Sequence, residues 1–166
     1  ARAPFFTDQD EQRLLFELSQ MSNKNHLRLT KLALATGFRR SELLSLTWRN
    51  IDFKNDRINI QRKECAARRS SSSMRIVPLP HNAKELLKSF ESIEGRVISL
   101  TRGSARNGFD RARRKAGLET LRFHDLRHIA ISRMWSYGMN ALEISACSGH
   151  RDIKMLMRYS HYQLSF

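Results

Sequence analysis

Apolar residues recur at helical spacing through most of this chain and alternate with polar ones in only two short stretches. That pattern predicts a mainly α fold with a small antiparallel β-sheet, an α+β class. Thr7-Asp8-Gln9-Asp10 offers a side-chain cap and an acidic first turn, and Leu14, Leu15 and Leu18 follow on one face, so a helix should run to about Gln20. After the polar Ser22-Asn23-Lys24-Asn25, a second helix carries Leu27, Leu29, Leu32, Ala33 and Leu34. It ends at Gly37, where a left-handed residue is cheap. Ser41-Glu42 opens a third helix with Leu43, Leu44 and Leu46 inward.

Arg57 to Arg62 alternates clearly and Met74 to Pro78 more weakly, which predicts two antiparallel strands. The segment between them holds Lys63, Arg68, Arg69 and the run Ser70 to Ser73. It cannot build a core and reads as a loop that is mobile without a ligand. Beyond it, a helix after Pro80-His81-Asn82 carries Ala83, Leu86, Leu87 and Phe90, and Val97-Ile98 reads as a short strand. Ser104 to Lys115 is a strongly basic helix closed by Gly117, with Phe109 inward. Asp125 to Tyr137 is the next, stopped by Gly138, with Leu126, Ala130 and Met134 as one stripe. A short helix with Leu142 and Ile144 follows, and Asp152 can cap a last helix through Met155, Leu156 and Tyr159.

The 166 residues suffice for one sizeable core, so residues 1–166 read as a single domain. The start at Ala1-Arg2-Ala3-Pro4, without Met, reads as a piece of something longer. Thirty Lys and Arg against sixteen Asp and Glu give a net charge of +14, a surplus typical of polyanion binders, with nucleic acid the leading partner. A membrane surface would favour one continuous basic amphipathic helix, whereas here the charge is spread along the chain, and no apolar run approaches bilayer length. Cys65 and Cys147 form no C-x-x-C pair, which fits a reducing, cytoplasmic, DNA-associated location.

Candidate chemistry gathers late in the chain. His124-Asp125-Leu126-Arg127-His128, then Gly149-His150 and Tyr159, supply imidazoles, a guanidinium and a phenol, and Arg39 and Lys63 add cations from earlier. These are the types needed to hold a phosphodiester and attack it with a phenol. Helical spacing lets His124 and Arg127 face together. Each residue also has a plainer reading. An arginine beside a glycine turn is usually solvated, and a tyrosine at helical spacing is usually core. His128 alone reads as a packed or hydrogen-bonded helix residue, and Tyr137 as structural. His124 and His128 share the spacing of a helical zinc pair, but the intervening Glu and a third ligand are missing.

Ala35-Thr36-Gly37-Phe38-Arg39-Arg40-Ser41-Glu42-Leu43, with Leu46-Thr47-Trp48 and Ile51-Asp52, resembles the first signature of the tyrosine recombinases, or phage integrase family. His124-Asp125-Leu126-Arg127-His128 resembles the second, and Ser148-Gly149-His150 with Tyr159 and Ser160-His161 the third. By that resemblance Arg39, Lys63, His124, Arg127, His150 and Tyr159 are the catalytic set, with Tyr159 the nucleophile. His124 would accept its proton, His150 would donate to the phosphate, and Lys63 would be the acid for the leaving 5′ oxygen. Tyr162, one turn on, lacks the family's offset from His150. The resemblance implies duplex DNA as substrate, a 3′-phosphotyrosyl intermediate, and no metal, cofactor or small-molecule ligand. It implies homotetramers on paired sites, with a monomer as the alternative for the isolated domain.

The departures are Ser148 where Leu is usual, Ile129 where Thr is common, and no amino-terminal core-binding domain in this chain. The seven residues after Tyr159 also leave little for a docking helix. A type IB topoisomerase-like relaxing enzyme, or a basic DNA-binding module without catalysis, stand as alternatives.

Overall fold

The computed structural model describes residues 6–61 and 74–160, so Lys63, the expected mobile loop and Tyr162 lie outside the described residues. In order, the elements are α1 (Asp8–Ser19), α2 (Asn25–Thr36), α3 (Arg40–Ser45), β1 (Ile51–Asp52), β2 (Arg57–Gln61) and β3 (Met74–Pro78). They continue with α4 (His81–Lys88), α5 (Arg102–Lys115), α6 (Asp125–Ser136), α7 (Ala141–Ser148) and α8 (Lys154–Met157). The fold is therefore mainly helical, with a three-stranded antiparallel sheet in the order β1-β2-β3.

Local chemistry accounts for the boundaries. Thr7 Oγ1 accepts the Asp10 N–H at 3.1 Å while the Asp10 carboxylate accepts the Thr7 N–H at 2.9 Å, a reciprocal cap that starts α1. Gly37, at φ +68°, ends α2 by donating to the Ala33 carbonyl at 2.9 Å. The turn it makes sends Phe38 into the core and brings Arg39 out beside the start of α3. α2 is the central helix, packed by α1, α3, α4 and α6, and it buries Leu29, Leu32 and Ala33. Each large apolar side chain buried this way contributes roughly 1.5–3 kcal/mol, which fixes the helices that carry the site.

Several expectations need correction. β1 was not foreseen, because two residues paired as Ile51↔Ile58 and Asp52↔Arg57 are too short to show alternation. Val97-Ile98 is no strand: Val97 donates to the Leu46 carbonyl at 2.9 Å beside an isolated Thr47↔Arg96 bridge, and the two side chains simply fill the core. α5 begins two residues early, at Arg102, because the Thr101 hydroxyl caps it. Asp152 does accept the Lys154 N–H at 2.9 Å, but α8 closes at Met157, so Tyr159 follows the helix rather than lying within it. In β3 the apolar Met74 and Ile76 face outward while Arg75 points inward beside Val77, the reverse of what hydrophobicity suggests. No helix among the described residues is long and apolar enough to cross a membrane.

Candidate active site

Arg39, His124, Arg127, His150 and Tyr159 all line one cleft of about 1050 Å³, joined there by Arg75 and His128. Five of the six residues named from sequence are thus brought together, and the sixth, Lys63, falls outside the described residues.

Glu42 organises the first arginine. Its carboxylate accepts the Arg39 backbone N–H at 2.9 Å and lies 3.4 Å from the Arg39 guanidinium, leaving that side chain about half exposed. The same carboxylate oxygen lies 3.5 Å from Arg75 Nη2. Arg75 reaches it from β3 across the Phe38 ring, 5.8 Å from its centroid, and so ties the sheet to α3.

Arg127 is buried, at 3% exposure, and its fork is divided between two elements. Nη1 donates to the Gly37 carbonyl at 2.8 Å, and Nη2 donates to His150 Nδ1 at 3.3 Å. Burial, together with the neighbouring Arg39, pushes its pKa down to about 10, so the guanidinium keeps its charge at neutral pH.

That contact also fixes the His150 tautomer. A guanidinium can only donate, so His150 Nδ1 must be the acceptor and the ring proton must sit on Nε2. The Ser148 hydroxyl, fully buried, then donates to the same Nδ1 at 2.7 Å. Burial first, then the Arg127 and Arg39 charges, push His150 down to about 4, which leaves a neutral ring with one N–H for an anionic oxygen.

Tyr159 is 3% exposed, and its ring lies end to end with that of His128, centroids 5.9 Å apart and planes 25° from parallel. Its hydroxyl is hydrogen-bonded to His128 Nδ1. His124, at the start of α6, meets the His128 ring edge-on at 5.1 Å. The Tyr159 hydroxyl contact to His128 comes one helical turn beyond His124, the residue that the family resemblance pairs with the phenol. The helical spacing of the two histidines, weighed from sequence only for zinc, was the signal that could have shown it.

His26, His124, His128 and His150 are all held below the ordinary histidine range, chiefly by burial. Below about pH 6.5 the unfolded chain therefore takes up protons that the folded chain refuses. The stability present above that pH is lost as pH falls toward the folded values, about 4 for His150. Thermal unfolding should show a lower midpoint at pH 5 than at pH 7.5. An unchanged midpoint would mean these rings protonate freely in the fold.

A second cleft, of about 420 Å³, shares Arg39, His124 and Arg127 with the first and adds Arg40, Arg106, Arg113 and Arg122. Cationic side chains thus run from the first cleft to α5.

The family model described as the phage integrase family matches residues 4–165. A shufflon-specific DNA recombinase of Escherichia coli is 36% identical over 132 residues, which is 78% of this chain and 33% of that protein. The catalytic domain of bacteriophage HP1 integrase superposes with a TM-score of 0.75 at 29% identity, covering 97% of this chain and 89% of that one. The XerH site-specific recombinase bound to difH substrate, in a pre-cleavage complex, shares the fold with a TM-score of 0.69 at 20% identity, over 95% of this chain and 50% of that one. The chain spans about a third to just under half the length of the first curated relatives it matches.

Proposed function

This chain belongs to the phage integrase family, and on that premise we propose that it cuts and rejoins duplex DNA at specific sites through a 3′-phosphotyrosyl intermediate, with Tyr159 as nucleophile. One observation carries the reading: the Tyr159 phenol shares a cleft with Arg39, the buried Arg127 and the N–H-bearing His150. A phosphodiester under attack gains negative charge on its non-bridging oxygens, and donors fixed beforehand stabilise that charge without reorganising. Arg39 and Arg127 supply guanidinium forks for two oxygens, His150 donates from Nε2, and His124 stands beside them. Lys63, in the segment between β2 and β3, serves as the acid for the leaving 5′ oxygen. The energy of the broken bond stays in the phosphotyrosine, so a 5′-hydroxyl from another strand can reverse the step without ATP.

The shared cationic wall of the two clefts, and the exposed basic residues of α5, support duplex DNA as the substrate. The family resemblance supports four copies acting together on paired sites.

The test is a nicked duplex carrying a candidate site, from which the short cut strand diffuses away. The chain should form a denaturation-resistant adduct with it and, given two such sites, exchange strands between duplexes. An adduct with relaxation but no exchange would favour a relaxing enzyme. Tight binding with no adduct on any candidate site would favour a binding module.

A further inference from the structure

We propose that His128, and not His124, takes the phenolic proton of Tyr159 as its oxygen attacks phosphorus. The inference rests on Tyr159 being the nucleophile. A group that removes a proton has to reach it, and His128 Nδ1 is hydrogen-bonded to the Tyr159 hydroxyl. The two ring planes lie within 25° of one another and the rings meet end to end through that hydrogen bond, which aims the phenolic O–H along the in-plane lone pair of Nδ1. His124 approaches this pair against the His128 ring, and it shares both clefts with Arg39 and Arg127, a place suited to the phosphate oxygens.

For a phenol to donate to it, Nδ1 must be bare, with the His128 proton on Nε2. The surroundings keep the ring in that neutral form. Partial burial is the main cause; His124 just before α6, Arg127 on α6 and Arg158 after α8 also push its pKa down, against the opposing carboxylate of Asp125. His150, from the turn after α7, faces it too and is neutral at pH 7. An unperturbed tyrosine ionises near pH 10, so a neutral imidazole already bonded to the O–H is what lets it react near neutrality.

The O–H bond breaks and its proton passes to Nδ1, giving an imidazolium. The phenolic oxygen's electron pair forms the new bond to phosphorus, and the bond from phosphorus to the 5′ oxygen breaks. That oxygen keeps the pair and takes a proton from an ammonium acid, assigned above to Lys63. In the reverse step, the imidazolium returns its proton to the tyrosine oxygen as a 5′-hydroxyl displaces it.

The experiment measures single-turnover adduct formation on saturating nicked duplex from pH 5 to 9.5, for the parent chain and for His128→Asn, His128→Ala and His124→Asn. The parent should reach a plateau by about pH 7, with its acid limb below the ordinary histidine value of about 6.5. At pH 7 the two His128 variants should be slower by about 10²–10³-fold, and their rates should climb with pH toward the tyrosine's own ionisation. Free imidazole should restore part of the His128→Ala rate in proportion to its neutral fraction, an effect that a misfolded or merely repositioned site would not give. His124→Asn should lower the rate but keep the parent's acid limb. The inference is overturned if both His128 variants stay within about threefold of the parent with its pH profile and no imidazole effect. It is overturned equally if the limb disappears with His124→Asn instead. Should Tyr159→Phe still form the adduct, the nucleophile assignment is what fails.

Discussion

Arg127→Lys is expected to lower the rate of adduct formation by about 10³-fold or more, with a much smaller loss of DNA affinity. The reason is the division of its fork. One arm is anchored on the Gly37 carbonyl at the end of α2 and the other on His150 Nδ1, so a single planar group sets both the arginine's own position and the His150 tautomer. A lysine head is a point charge and cannot hold both partners while facing a phosphate. Losing one prearranged donor costs about 10²–10³-fold in comparable sites, and here His150 loses its orientation as well. The carbonyl left behind is buried, so the fold should also weaken by about 1–3 kcal/mol. Stopped adduct assays at saturating duplex, with urea unfolding alongside, separate the two effects. A rate within tenfold of the parent would mean the charge alone suffices.

Gly149→Ala should be the most damaging of the small substitutions near the site. Gly149 ends α7 at φ +74°, donating to the Ser145 carbonyl at 2.8 Å, and an L side chain there costs roughly 1–2 kcal/mol. A Cβ would also overlap the Arg75 guanidinium. Arg75 has little room to withdraw, since it is held between the Phe38 ring and the Glu42 carboxylate with its side chain only 10% exposed. Strain and overpacking together should cost about 2–4 kcal/mol. Because the next residue is His150 and Arg75 leads to Glu42 and Arg39, cleavage should slow even where the protein remains folded. A urea midpoint and cleavage rate both equal to the parent's would contradict this packing.

Much of the fold was legible because it rests on local chemistry. The Thr7 cap, the Gly37 stop and the leucine stripes of α1 and α2 all declare themselves within a few residues. The cleft was legible differently, through three motifs whose residues converge although Arg39 and Tyr159 stand far apart in sequence. What stayed hidden depends on long-range partners. Arg75 faces inward because Glu42 and Phe38 receive it, which no alternation in β3 could reveal. Ser148, which stands where the family usually has Leu, bonds His150. His128 meets the phenol because the chain tightens after Met157 into a turn in which the Tyr159 N–H donates to the Leu156 carbonyl at 3.0 Å, laying Tyr159 against α6.

The central claim is that one phenol, Tyr159, bonds to phosphorus. It is tested most directly by trapping the adduct on a labelled nicked duplex, digesting the protein and sequencing the peptide that keeps the nucleotide. The nucleotide should be on Tyr159, and Tyr159→Phe should abolish the labelled band while Tyr162→Phe leaves it. A nucleotide on Tyr162, or on any residue away from the Arg39 and Arg127 cleft, would contradict the account.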